Sequence, residues 1–218
     1  MSMNLEAART QMVNQQVRAW DVLDPAVLAV LGQVPRERFV PERFREFAFA
    51  DTEIPLGNGQ VMMTPQVEGR LLQFLAVQGT DRALEIGTGS GFLTACLARL
   101  ARQVTSLEIL PELAEGARRN LRGIATWNAD VHAADAFRFE PGETFDVIAV
   151  TGSLPCPDDR FRHWLAEGGR LFVITGEAPA MHARLVTRTG PAQWSDTILF
   201  ETLLPPLINA PAPAKFTF

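Results

Sequence analysis

The sequence predicts an α/β protein built on a doubly wound, mostly parallel, Rossmann-like sheet with a helical extension at its N-terminus. From residue 82 onward, short apolar runs alternate with helical patterns, which indicates parallel strands joined by crossover helices. A glycine-rich motif follows the first apolar run, and residues 5–17 carry apolar side chains at helical spacing. The chain has 218 residues, 47% of them apolar, and is therefore long enough to bury one substantial core.

Residues 1–60 are predicted to form a helical prelude and a substrate-side loop, followed by a main domain over residues 61–218 within one structural unit. Apolar periodicity predicts a helix over residues 5–17, and an Asp-Pro pair begins a second helix over residues 25–31. Three prolines then break the chain into turns, and the Gly-Asn-Gly run at residues 57–59 predicts a flexible bend. Thr64 and Pro65 have the residue types of an N-cap and first position for a helix that reaches about residue 76.

The main domain reads as alternating strands and helices. Strands are predicted over residues 82–86, 104–107, 130–134, 145–150 and, after a glycine turn, up to residue 174; helices are predicted over residues 91–100 and 111–122. Several prolines after residue 204 forbid a long helix in the C-terminal tail.

Composition argues against several classes of partner and site. A net charge of −5 and the lack of any long basic run argue against nucleic acid as the main partner. The sequence has no apolar stretch long enough to cross a membrane and no signal-peptide pattern, so we expect a cytoplasmic protein with no membrane association. Its two cysteines form no Cys-x-x-Cys pair and its three histidines are scattered, so no metal site is expected.

The motif Glu-Ile-Gly-Thr-Gly-Ser-Gly at residues 85–91 indicates a nucleoside-binding turn. Alternate glycines allow a sharp turn into the next helix and let the backbone approach a ligand closely. Glu85 ends the strand with a carboxylate, which suits the ammonium of a methionine moiety and would repel a pyrophosphate. The glycine spacing also differs from the G-x-G-x-x-G of dinucleotide sites. The motif therefore favours S-adenosylmethionine, and a nicotinamide or flavin site is the rival interpretation.

Polar residues also follow the neighbouring strands, and the carboxyl ends of parallel strands meet at one edge of the sheet. Glu108 is placed to accept hydrogen bonds from both ribose hydroxyls. Asp135 is placed to accept one from the adenine amine, although a solvated loop aspartate is the alternative there. The predicted cofactor-binding residues are Glu85, Ile86, Gly87, Thr88, Gly89, Ser90, Gly91, Glu108, Ile109, Asp135, Ala136 and Thr151.

Several segments resemble the protein-L-isoaspartate (D-aspartate) O-methyltransferases. The likeness extends to about residue 207, and its most specific part is Ile-Pro-Leu-Gly-Asn-Gly-Gln at residues 54–60. Matching segments also occur at residues 34–41, 48–51, 84–91, 145–151 and 168–171. The resemblance implies the seven-stranded methyltransferase sheet with the order of its last strands altered. It also implies S-adenosyl-L-methionine as methyl donor, S-adenosyl-L-homocysteine as product, and repair of isoaspartyl residues in damaged proteins.

The chain departs from this family's pattern beside the expected methyl acceptor. The family has Thr-Ile-Ser after its Gly-Gln pair, with the serine beside the substrate carboxylate and the methyl donor. This chain has Val-Met-Met at the same place, so Met63 occupies the serine position and Val61 the threonine position. The predicted substrate-side residues are Gln60, Val61, Met63 and Thr64, and the candidate catalytic positions are Met63 and Thr64. Thr64 offers a replacement hydroxyl, but a helix N-cap is the role that we favour for its side chain.

A lost serine need not abolish methyl transfer to a carboxylate. The carboxylate is already ionised at neutral pH, so the reaction needs alignment and no general base. The leading hypothesis is an enzyme that methylates isoaspartyl residues of a protein or peptide substrate. The alternatives are an enzyme with a small molecule or another group as acceptor, and a non-catalytic S-adenosylmethionine-binding module. The sequence leaves the oligomeric state open.

Overall fold

The structure, a computed structural model, describes residues 4–212. Its helices are α1 (Leu5–Gln11), α2 (Pro25–Gln33), α3 (Pro65–Leu75), α4 (Phe92–Leu100), α5 (Pro111–Gly123) and α6 (Arg160–His163), with a π-helical turn at Met12–Val17 and 3-10 turns at Arg18–Trp20, Arg36–Arg38 and Glu42–Phe47. Its strands are β1 (Ile54–Gly57), β2 (Gln60–Met62), β3 (Arg82–Ile86), β4 (Gln103–Glu108), β5 (Ala129–Ala133), β6 (Phe145–Leu154), β7 (Leu165–Glu177), β8 (Ala180–Gly190) and β9 (Gln193–Glu201).

Seven strands form one sheet in the order β5-β4-β3-β6-β7-β8-β9. Neighbours from β5 to β7 are parallel, whereas β8 and β9 add antiparallel strands at one edge. The predicted doubly wound, mostly parallel seven-stranded sheet with an N-terminal helical extension is confirmed. The residue pattern alone did not predict β8 and β9, because their apolar residues are interrupted by polar ones and β9 is largely exposed. Only the family resemblance implied a sheet of seven strands.

Two local predictions in the prelude and one at the start of α3 need correction. The first helix is α-helical only to Gln11 and continues as a wider π turn, which directs Met12, Val13 and Val17 into the core. The Gly-Asn-Gly run is the turn of a β1–β2 hairpin, with φ angles of 100°, 53° and 73°, and not simply a flexible bend. Thr64 takes the N-cap position of α3, but its side chain makes no capping hydrogen bond.

Apolar clusters cover both faces of the main sheet. One cluster joins Met12 and Leu31 of the prelude to Leu72 of α3. The other contains Phe161 of α6 and lies on the opposite face. Ala83 of β3 enters the first cluster, and Leu84 and Ile86 enter the second, so both faces of this strand are buried. Over residues 4–212, none of the helices combines the length and apolarity that a bilayer crossing requires.

Candidate active site

A cleft opens at the carboxyl edge of the sheet, where the strand order reverses between β3 and β6. It contains about 790 Å³ of empty space, its open mouth included. Gly91 and Thr64 are the predicted site residues that do not line it. The predicted residues that do are Gln60, Val61, Met63, Glu85, Ile86, Gly87, Thr88, Gly89, Ser90, Glu108, Ile109, Asp135, Ala136 and Thr151.

The glycine loop between β3 and α4 has a backbone that only glycine adopts readily. Gly87, Gly89 and Gly91 have φ angles of 100°, 54° and 86°. A Cβ on Gly87 would lie 2.5 Å from Thr151 Oγ1, and that hydroxyl donates a 2.6 Å hydrogen bond to the Gly87 carbonyl. Gly91 faces α5, since a Cβ there would lie 3.1 Å from the Cβ of Ala117. The first two glycines therefore shape the cleft, and the third permits helix packing behind it.

Glu85 is a completely buried carboxylate on the cleft wall. Its Oε2 accepts hydrogen bonds from the hydroxyl of Thr94 and, at 2.6 Å, from that of Ser106. Its Oε1 is also buried, and it has no hydrogen-bond partner among residues 4–212. Burial, reinforced by neighbouring carboxylates, raises the pKa of Glu85 to about 8 against the lowering effect of the two hydroxyls. An ammonium group in the cleft would satisfy the free oxygen and favour the ionised carboxylate.

Glu108 ends β4 and fastens the glycine loop to it. Its Oε2 accepts a 2.8 Å hydrogen bond from the Gly89 amide, and its Oε1 accepts one of 2.9 Å from the Leu110 amide. A carboxylate offers about four lone-pair sites, so each oxygen retains capacity for another donor. Because Glu108 also lines the cleft, that capacity is available to a pair of vicinal hydroxyls.

Asp135 follows β5 and is held from two sides. Its Oδ1 accepts a 2.8 Å hydrogen bond from the Phe137 amide, and its Oδ2 accepts one of 3.0 Å from the Asn209 side chain. Asn209 belongs to a C-terminal segment, residues 204–209, that runs beside the end of β6. Hydrogen bonds of 2.9 and 3.0 Å join the backbone of Ser153 to Pro205 and Leu207. This segment brings Leu207 and Ile208 into the cleft wall.

The opposite wall comes from the hairpin and the start of α3. Met63 is 6% exposed and lines the cleft together with Val61 and Met62. Glu68, on the first turns of α3, also lines it and forms a buried ion pair with Arg36. This wall is therefore mostly apolar, with one paired carboxylate.

Sequence reasoning missed part of the lining. Ala134 and Phe137 lie within two residues of Asp135, so the expectation that ligands bind at the carboxyl ends of strands could have included them. No comparable signal marked Leu207 or Ile208 as cleft residues. The lining residues missed are Leu56, Met62, Glu68, Phe92, Leu93, Leu113, Ala134, Phe137, Leu207 and Ile208. Over residues 4–212, no cluster of His, Cys, Asp or Glu side chains has the arrangement of a metal site.

The fold and the cleft together define a class of protein. A parallel sheet with a left-handed glycine loop and carboxylates at the ends of β3 and β4 is the framework of a Rossmann-like, S-adenosylmethionine-dependent methyltransferase. The family model described as protein-L-isoaspartate(D-aspartate) O-methyltransferase (PCMT) matches residues 7–209. The chain belongs to that family, whose methyl donor is S-adenosylmethionine.

Curated relatives with the same family name are similar in sequence to this protein over most of its length. A protein-L-isoaspartate O-methyltransferase 1 of Rhodopseudomonas palustris is 39% identical over 84% of this chain and 76% of its own length. A protein-L-isoaspartate O-methyltransferase 2 of Pelobacter propionicus is 35% identical over 95% of this chain and 93% of its own. Among solved structures, a chain assigned to this activity from Plasmodium falciparum, in complex with S-adenosyl-L-homocysteine, superposes with a TM-score of 0.80 at 19% identity over 91% of this chain and 97% of that one. The last likeness shows the shared fold.

Proposed function

We propose that this protein transfers the methyl group of S-adenosylmethionine to the carboxylate of L-isoaspartyl (D-aspartyl) residues in damaged proteins or peptides. One observation carries the proposal: a single cleft joins the glycine loop and its carboxylates to the hairpin wall that holds Met63. The family and the curated relatives support this acceptor. The cytoplasmic location expected from the sequence remains a prediction.

Each polar group on the donor side has a distinct role in the proposal. The free oxygen of Glu85 accepts a hydrogen bond from the ammonium of the methionine moiety. Glu108 accepts from the ribose hydroxyls through its remaining lone pairs, and Asp135 accepts from the adenine amine. Ile86, Thr88, Ser90, Ile109, Ala136 and Thr151 complete the walls around the nucleoside.

Catalysis in this cleft is a matter of alignment. The bound donor supplies a methyl group on a sulfonium, and the acceptor carboxylate is ionised at neutral pH without help from a base. The residues must hold the acceptor oxygen in line within about 3–3.5 Å of the methyl carbon. This alignment can lower the activation barrier by roughly 7–11 kcal/mol. One neutral hydrogen bond contributes about 0.5–1.5 kcal/mol, so losing the serine hydroxyl at position 63 affects the barrier less than losing the alignment would.

The decisive experiment compares two peptides. Purified protein with methyl-labelled S-adenosylmethionine should form a base-labile methyl ester on a peptide containing L-isoaspartate. Its twin with ordinary L-aspartate should gain none, since the side chain and main chain exchange places between the two. Equal labelling of both peptides, or of neither, would contradict the proposal.

A second candidate function keeps the donor and changes the acceptor. The apolar side chains of Val61 and Met63 favour it, because the wall offers a carboxylate acceptor no hydroxyl from these positions. Labelling of a small molecule or another protein group, with no ester on the isoaspartyl peptide, would establish this alternative. Donor binding without transfer to any acceptor would instead indicate a non-catalytic binding module.

A further inference from the structure

A buried ion pair outside the predicted site, Arg36 with Glu68, lies at the acceptor wall, the side of the cleft formed by Val61, Met62, Met63 and Glu68. Arg36 is 0% exposed and sits in the 3-10 turn that follows α2. Its Nε donates a 2.9 Å hydrogen bond to the Ala48 carbonyl, and one terminal nitrogen donates a 2.7 Å bond to the Met63 carbonyl. The other terminal nitrogen donates to the carboxylate of Glu68. One planar group thus joins the prelude, the Met63 carbonyl two residues before α3, and the first turns of α3.

The pairing accounts for the burial of both charges. An unpaired guanidinium would be strongly destabilising at this depth, and so would an unpaired carboxylate. Glu68 is 2% exposed and is the member of the pair that lines the cleft. A neutral core could have filled the same space, so stability alone does not require a charged pair here.

Arg36 also contacts the donor side of the cleft. Its guanidinium carbon lies 4.6 Å from the centre of the Phe92 ring. Phe92 is the first residue of α4, directly after the glycine loop, and it lines the cleft as Met63 does. The guanidinium therefore holds the Met63 backbone at a fixed place relative to the end of the glycine loop.

We propose that Arg36 and Glu68 are positioning residues that set the separation between methyl donor and acceptor. The inference rests on the methyl transfer proposed above and assigns it two residues that neither donate nor accept the methyl group. Alignment is the main source of rate in this cleft, and a misplacement of about 1 Å can lower a rate by about 100-fold.

Arg36→Lys is the first test, because an ammonium cannot bind two carbonyls and a carboxylate in one plane. We expect kcat for the isoaspartyl peptide to fall about 10- to 100-fold. The Kd of S-adenosyl-L-homocysteine, measured by calorimetry, should change by less than about threefold, because the donor's polar partners are untouched. An unchanged kcat would overturn the proposal.

The matched control is Arg170→Lys. Arg170 likewise donates to a carbonyl, that of Leu75 at 2.7 Å, and to a carboxylate, that of Asp81 at 2.6 Å. Asp81 immediately precedes β3, so this pair lies at the amino end of the sheet, away from the cleft. The control variant should retain the parent's kcat. An equal loss of kcat in both variants would show a general effect of weakened packing and would overturn the positioning role.

A double variant separates positioning from folding. Arg36→Met with Glu68→Leu removes both charges together, so neither is left buried without its partner. We expect a folded protein, judged by a cooperative thermal transition, that still has a lowered kcat. Recovery of the parent's kcat in this variant would show that the pair only fills space.

A further measurement needs no turnover. The methyl group of Met63, labelled with ¹³C, should give a shifted or broadened NMR signal in Arg36→Lys with S-adenosyl-L-homocysteine bound, and the parent's signal in Arg170→Lys. If the parent forms no isoaspartyl ester, the proposed function fails, and the Met63 signal then tests separately whether Arg36 fixes the position of Met63. An unchanged signal in Arg36→Lys would refute it.

Discussion

At the residue scale, the three carboxylates on the donor side of the cleft differ in how many of their oxygens accept hydrogen bonds. Glu108 and Asp135 already accept hydrogen bonds on both oxygens, whereas Glu85 has a buried oxygen without a partner among the described residues. The first two therefore shape the site before any ligand binds. Glu85 is the group whose hydrogen bonding a cationic ligand would complete.

Glu108→Ala should weaken S-adenosyl-L-homocysteine binding by about 1–3 kcal/mol, because charge-assisted hydrogen bonds to the ribose are lost. Calorimetry measures the effect. Glu115→Ala is a suitable control, because Glu115 makes only surface ion pairs along α5. An unchanged affinity in the Glu108 variant would contradict the ribose contact.

Met63→Ser tests the departure from the family pattern. If the hydroxyl adds one neutral hydrogen bond to the substrate, kcat/KM for the isoaspartyl peptide should rise by about two- to tenfold. Met62→Ser is the control, because it removes the same side-chain volume from another buried residue that lines the cleft. A gain of several orders of magnitude over that control would show that the native cleft is built for another acceptor.

The predicted donor-side residues lie along one cleft, with Gly91 the exception, whereas the sequence gives no sign of the ion pair. Glu85 and Glu108 were recognisable because each is a carboxylate at the carboxyl end of a predicted strand: Glu85 is next to last in its strand, and Glu108 directly follows the next strand. Arg36 and Glu68 stand among other charged or polar residues, a pattern typical of solvent-exposed positions. Only the packing of the prelude on α3 reveals that both are buried.

At the element scale, the C-terminal segment closes part of the cleft. Gly152, in β6, leaves room for it: a Cβ there would lie 2.7 Å from Cδ2 and 3.1 Å from the amide nitrogen of Leu207. Backbone hydrogen bonds to Ser153 position the segment. Because backbone groups are the same in nearly all residues, such contacts leave no recognisable pattern in the sequence. β8 and β9 were missed for a similar reason, because they have no continuous apolar run. The parallel strands of the sheet were found.

Gly152→Ala should displace Leu207 and Ile208 from the cleft wall. We expect S-adenosyl-L-homocysteine to bind roughly tenfold more weakly through lost apolar contact. Gly32→Ala is the control, because a Cβ at Gly32 meets nothing within 4 Å. Equal affinities for the two variants would show that the segment contributes nothing to the site.

At the scale of the whole molecule, the prelude and the sheet share one apolar cluster, so the acceptor wall is tied to the stability of the fold. This arrangement buries carboxylates near the cleft. The pKa of Glu85 is raised from 4.5 to about 8, chiefly by burial. A raised pKa means that the folded state binds this proton more tightly than the unfolded state does.

The contribution of Glu85 to stability is therefore full below about pH 4.5 and is lost as the pH rises through about 8. Glu85→Gln removes this titration, so the parent should lose more free energy of unfolding than the variant between pH 5 and pH 8. Urea unfolding at several pH values measures the difference. Glu143→Gln, at a half-exposed position, is the control and should follow the parent. Parallel profiles for parent and Glu85→Gln would contradict the assignment.

The most direct test of the account is a crystal structure of the protein with S-adenosyl-L-homocysteine and an isoaspartyl peptide. We predict the ammonium at Glu85, the ribose hydroxyls at Glu108, the adenine amine at Asp135, and the sulfur facing the peptide carboxylate beside Met63. A nucleoside in another orientation, or a peptide carboxylate remote from the sulfur, would contradict the account.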